Sequence, residues 1–158
     1  MTRLRSLVVL LVVTALGVPA ADVPLRLGFL AEPLKVLTAD DRATVEEAVR
    51  LVERGRHAQA LERLSGLSKA HPDNSSIRIL AGWAALEAGN LAMALESAVK
   101  AHEAPNGNAY KCWFLAKVAL LTGDKATCER ELNHFHKAPG LKAEARDLRR
   151  DLNAAKAR

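Results

Sequence analysis

Three glycines stand at one fixed step along this chain: Gly55, Gly89 and Gly123, with 89 − 55 = 34 and 123 − 89 = 34. They occur in "LVERGRHAQAL", "ALEAGNLAMAL" and "LLTGDKATC", each within helix-like periodicity. A period of this size marks a repeat architecture, in which one unit cannot bury its apolar face alone and neighbouring units must stack. Other positions keep the step. Ala60 and Ala94 are followed by Cys128, Leu64 by Ala98 and Leu132, and Leu67 by Ala101 and Phe135; Pro72, Pro105 and Pro139 punctuate the three ends.

Each unit reads as a helical hairpin. Val45, Ala48, Val49 and Val52, or Ile77, Leu80, Ala81 and Ala84, recur at three-and-four spacing before the glycine. His57, Ala60, Leu61, Leu64 and Leu67 do so after it, so the glycine belongs where the first helix ends at positive φ and the chain turns back. The proline then stops the second helix, because it lacks a donor and clashes with the preceding turn. Thr38 and Asp41 in "TADD" give a start signal for the first unit. About half of the 158 residues are apolar, dominated by Ala and Leu with few aromatics, which suits packed helices and excludes a disordered chain.

On these residues the chain resembles the tetratricopeptide repeat family. The resemblance covers about residues 41–140 as three units, 41–74, 75–108 and 109–140. It implies an all-α fold of three hairpins in a right-handed superhelical array. The family's small-residue slot in the first helix falls on Ala48, Gly82 and Ala116, and its alanine slot in the second on Ala60, Ala94 and Cys128. Its tryptophan slot departs from the pattern, holding Thr44, Arg78 and Cys112, and the following leucine slot holds Glu47 in the first unit. Residues 141–158 add Leu141, Ala145, Leu148 and Leu152 on one face, as expected of the polar-backed capping helix that ends such an array.

The N-terminus, "MTRLRSLVVLLVVTALGVPAAD", has Arg3 and Arg5, an apolar run from Leu7 to Leu16, and a small-residue end at Val18, Pro19 and Ala20. It reads as a secretory signal over residues 1–20, cut after Ala20. The run is shorter than the roughly 20 residues of a membrane span, so no stable span is expected once it is removed. The protein is expected in the periplasm of a bacterium, or secreted. Removing residues 1–20 takes away two arginines and lowers the formal charge from +5 to +3. Residues 141–158 hold six basic and three acidic residues, which accounts for the remainder. A solvated helix face explains that excess, and nucleic acid is set aside as a partner. Residues 21–40 form an apolar segment in which Val23, Leu25, Leu27 and Phe29 alternate as an extended strand does.

Motifs that carry a reaction are missing: there is no phosphate-binding glycine loop, no HExxH and no GxSxG. No cofactor and no enzymatic activity are expected. His134 and His136 lie two apart on a helix, point to different faces, and cannot chelate one ion as an i, i+4 pair does, so no metal site is expected. Asp40 and Asp41, next to a helix start, read as caps. Cys112 and Cys128 fall on facing helices of the third hairpin, about one turn out of direct opposition. A disulfide and two packed thiols both stay open.

Function then rests on a surface. In the resembling family the first helices line a groove for extended peptides or helices. Its inward slots fall here on Val45, Val49 and Val52, on Ile79, Trp83 and Leu86, and on Tyr110, Trp113, Lys117 and Leu120. Gly82 then faces the neighbouring helix and Trp83 the groove. The resemblance implies a protein-interaction module, a scaffold or assembly factor whose aromatic residues anchor an apolar segment and whose Lys117 pairs with an acid on it. A chaperone or carrier of exported apolar chains is the alternative. So is self-covering, in which residues 21–40 lie along the groove and the tryptophans are core.

Overall fold

The computed structural model describes residues 27–158. The expected signal segment, its cleavage after Ala20, and Val23 and Leu25 lie outside the described residues. A 3-10 turn, Leu27–Leu30, leads into a single helical turn, α1 (Ala31–Leu34). Seven longer helices follow: α2 (Ala39–Glu53), α3 (His57–Ala70), α4 (Ser75–Glu87), α5 (Leu91–Glu103), α6 (Tyr110–Leu121), α7 (Lys125–Phe135) and α8 (Lys142–Lys156). The described residues contain no strand, and none of their helices is long and apolar enough to cross a membrane.

The periodic glycines close three hairpins. Gly55, Gly89 and Gly123 have φ of 72°, 74° and 87°, the left-handed conformation that only glycine adopts cheaply. At each, the next residue reaches back five positions to a carbonyl: Arg56 N to Leu51 O, Asn90 N to Ala85 O and Asp124 N to Ala119 O, all 2.8 Å. This is the Schellman closure of a helix end, written three times in the same register. The residue after the glycine opens the next helix. Asn90 Oδ1 accepts from Met93 N and Asp124 Oδ1 from Thr127 N, whereas Arg56 has no capping side chain. Thr38 caps α2 by accepting from Asp41 N at 3.1 Å and donating to Asp41 Oδ2 at 2.9 Å. With Asp40 it places two acids in the first turn, where the helix dipole favours them.

Packing distinguishes first helices from second helices. The first helices α2, α4, α6 and α8 touch one another in sequence, and each second helix packs against its own partner and the first helix of the next unit. A central first helix is therefore enclosed on most sides. α4 buries Ile77, Ile79, Leu80, Gly82, Ala84, Ala85 and Leu86, and α6 buries Tyr110, Trp113, Phe114, Leu115, Ala116, Val118 and Ala119. The second helices bury one narrow stripe: Ala60, Leu64 and Leu67 in α3, and Ala94, Ala98 and Ala101 in α5. α8 closes the array with Ala145, Leu148 and Leu152 inward, the stripe expected of a cap. Small residues sit where helices approach. A Cβ on Gly82 would lie 2.7 Å from the Phe114 ring of α6 and 3.1 Å from Ser97 Cβ of α5, so glycine here makes room rather than a turn.

The described end of the N-terminal segment is helical, where alternation suggested an extended strand. Leu30, Pro33, Leu34 and Leu37 explain the difference, because their steps of three, four and seven are the helical period. Leu30, Pro33 and Leu37 are buried and Leu34 is half-buried. This segment straps the array at its inter-hairpin edge. Asn108 Nδ2 donates to Phe29 O at 2.8 Å, Ser76 Oγ to Leu30 O at 3.0 Å, and Asn74 Nδ2 to Pro33 O at 2.7 Å. The carbonyls that a short turn leaves unpaired thus find donors on the array.

Candidate functional site

Two places on the array gather chemistry, one aromatic and one polar. The aromatic place lies under the strap. Phe29 stacks on Tyr110 with ring centroids 5.1 Å apart and planes 3° from parallel, and Tyr110 stacks on Trp113 at 4.6 Å. Tyr110 and Trp113 are consequently buried, as are Val45, Val52, Ile79 and Leu86. Val49, Trp83, Lys117 and Leu120 remain half-buried. Within this face Trp83 carries an unanswered donor, since its indole Nε1 is buried with no hydrogen-bond partner among the described residues. Lys117 Nζ lies 3.7 Å from Asp151 Oδ2 of α8, an ion pair within the chain.

The polar place lies on the other side of α6, among α5, α6 and α7. Glu131 of α7 is 1% exposed, an acid on the stripe Cys128, Glu131, Leu132 and Phe135 that α7 turns inward. Its Oε1 accepts from Arg130 Nε at 3.1 Å. Its Oε2 is buried, 3.0 Å from His102 Nε2 and 3.5 Å from His134 Nδ1, two ion-pair approaches without hydrogen-bond geometry. Cys112, at the start of α6, completes the group: the side-chain ligand atoms of His102, Cys112 and Glu131 all lie within 4.8 Å of one another. Burial, reinforced by the Glu131 carboxylate, holds the Cys112 thiol above its ordinary value.

Cys112 and Cys128 are free thiols, the second of the two arrangements left open from sequence. Cys112 faces the Glu131 level of α7, and Cys128, one turn earlier, is packed in the core where burial pushes its thiol up to about 11. His134 is exposed, as a helix-end residue, and His136 Nδ1 lies 2.8 Å from Asn133 O.

Sequence reasoning considered only histidines close in sequence and missed His102 and Glu131. One unit earlier, at the 34-residue step, the same three positions are Ser68, Arg78 and Ser97, since 102 − 68, 112 − 78 and 131 − 97 all equal 34. Ser68, Arg78 and Ser97 line a cleft of about 690 Å³ one unit earlier, between α3 and α5 with α4 as its floor. The polar group is thus the same inter-hairpin position filled with different chemistry. Cys112 and Arg78 also occupy the slot where the tetratricopeptide pattern departs.

Fold and site together define an all-α array of stacked helical hairpins, strapped at one edge by its own N-terminal segment. Sequence comparison finds no protein family whose profile matches the chain and no curated protein similar to it.

Proposed function

We propose that this protein is an exported interaction module of the tetratricopeptide type, a scaffold or assembly factor of the bacterial envelope that holds an apolar protein segment on the face of α2, α4 and α6. One observation carries the reading. The array already seats an apolar segment by its main chain: Asn74, Ser76 and Asn108 donate to three carbonyls of the strap while Tyr110 stacks its one phenylalanine. Backbone capture plus an aromatic anchor is how repeat surfaces and peptide grooves bind extended partners. The strip of Val49, Trp83 and Leu120 is the part of that face left half-open, and the exposed part of the Trp83 ring supports its role as an apolar anchor. Arg3 and Arg5 ahead of the Leu7 to Leu16 run support export. The absence of reaction-bearing motifs supports binding over catalysis.

The test uses the full chain and a panel of apolar peptides, including a copy of "VPLRLGFLAEPLKVL" from residues 23–37. Binding is read from tryptophan emission. A discriminating peptide should shift the emission to the blue, and Trp83→Ala should weaken it by about 2 kcal/mol, roughly 30-fold, with little loss of melting temperature. An unaltered Kd together with a lowered melt would make Trp83 a core residue and remove the binding face. Equal affinity for unrelated peptides would turn the reading toward a carrier of apolar chains.

A further inference from the structure

We propose that His102, Cys112 and Glu131 form a binding site for one divalent cation of the zinc class. The donor set is an imidazole nitrogen, a sulfur and a carboxylate oxygen, the combination that borderline-soft Zn²⁺ takes and that hard Mg²⁺ or Ca²⁺ does not. Separation is suitable. Ligands about 2.0–2.3 Å from a tetrahedral centre stand roughly 3.3–3.8 Å from each other. His102 Nε2 and Glu131 Oε2 are 3.0 Å apart, and the ligand atoms of all three residues lie within 4.8 Å of one another.

Charge and burial point the same way. Glu131 Oε2 is buried and meets only His102 Nε2 at 3.0 Å, His134 Nδ1 at 3.5 Å and the nearby Cys112 thiol, so these neighbours alone offset the burial of the carboxylate. A Cys112 thiolate and a Glu131 carboxylate together balance a dication in a half-buried site. On binding, the Cys112 S–H bond breaks, its electron pair forms the metal–sulfur bond, and one proton passes to solvent. Arg130 holds the other Glu131 oxygen and fixes the carboxylate, in the manner of outer-shell partners. His134, at the solvent edge, has its Nδ1 3.5 Å from Glu131 Oε2.

The repeat supplies an internal control. One unit earlier the same three positions carry Ser68, Arg78 and Ser97, and a guanidinium in place of the thiol repels a cation. Among the described residues, this donor set therefore occurs at the junction of the second and third hairpins.

Reduced full-length protein titrated with Co²⁺ tests the site. A thiolate-to-cobalt charge-transfer band should rise to saturation at one equivalent and bleach when Zn²⁺ is added. Cys128→Ser should keep the band and Cys112→Ser should abolish it. No band in the unaltered protein, or a band that survives Cys112→Ser, overturns the proposal. If Cys112→Ser does not fold, His102→Ala at the exposed edge gives the reading. Its Zn²⁺ affinity should fall by more than the roughly 10–100-fold that an outer-shell loss costs, and an unchanged affinity overturns the site.

Discussion

The two edges of the array are built by opposite rules. At the edge where helices of one hairpin join, Gly55, Gly89 and Gly123 repeat one closure, and a Cβ at any of them would meet nothing within 4 Å. At the edge where hairpins join each other, no two turns are alike. There a Cβ added at Gly107 would lie 3.1 Å from Ser75 Cβ, one added at Gly140 would lie 3.0 Å from the Phe29 ring, and Asn74, Ser76 and Asn108 grip the strap. Glycine serves conformation at the first edge and clearance as well at the second. A turn that only reverses the chain can be copied from unit to unit, whereas one that binds something must diverge to fit it.

The sharpest way to break that contrast is to remove the strap. A chain beginning at Thr38 keeps the α2 cap but loses Leu30 and Leu37, 1% and 5% exposed, and strands the Asn74 and Ser76 donors. Two buried leucines at about 1.5–3 kcal/mol each predict a loss of roughly 3–6 kcal/mol, seen as a large drop in melting temperature. Trp113 emission should shift to the red as Phe29 leaves Tyr110. Unchanged melts and spectra would mean that the strap merely rests on the edge, and the two edges would be equivalent in stability.

How much of this was legible in the sequence follows from the range of the interactions. The Gly55, Gly89 and Gly123 turns, the Thr38 cap and the α8 stripe are set by residues within five positions, so periodicity and turn chemistry suffice to place them. The strap's seat is not local, because Asn108 is 79 residues from Phe29 and Ser76 is 46 from Leu30. Nor is the polar group at Glu131, which needs the ends of α5, α6 and α7 in register. The Lys117–Asp151 pair is non-local as well, since Asp151 reaches Lys117 from the cap helix. What was present but unread is an acid at a stripe position of α7, a local contradiction of the kind expected at a functional site.

A smaller test compares two cap asparagines, one at each edge. Asn74 is 4% exposed, accepts from Ser76 N and Ile77 N, and also donates to the strap. Asn90 accepts only from Met93 N at the glycine edge and is exposed. Asn74→Ala should therefore cost about 2–3 kcal/mol, a cap plus a buried hydrogen bond, and Asn90→Ala about 1 kcal/mol. Denaturant midpoints at unchanged slope measure both. Equal losses would show that the strap bond contributes nothing beyond the cap.

The finest comparison is between glycines. Gly89→Ala forces a side chain to φ 74° but into open space, so only the left-handed conformation is penalised, by about 1–2 kcal/mol. Gly107→Ala meets φ 104° and, in addition, Ser75, whose Cβ would lie 3.1 Å from the new methyl. Ser75 N is itself held by Asn106 Oδ1 at 3.0 Å, so the start of α4 cannot withdraw freely. Gly107→Ala should exceed Gly89→Ala by about 1 kcal/mol, the lower end of what overpacking costs. Strap removal then gives the discriminating measurement. The Gly89→Ala loss should be the same with and without the strap, because its turn is far from those contacts and distant sites add. The Gly107→Ala loss should shrink when the strap is gone, since α4 is then free of the Asn74 and Ser76 bonds and can shift. A Gly107 loss that stays constant would mean that the inter-hairpin edge is as rigid as the glycine edge and does not depend on the segment it holds.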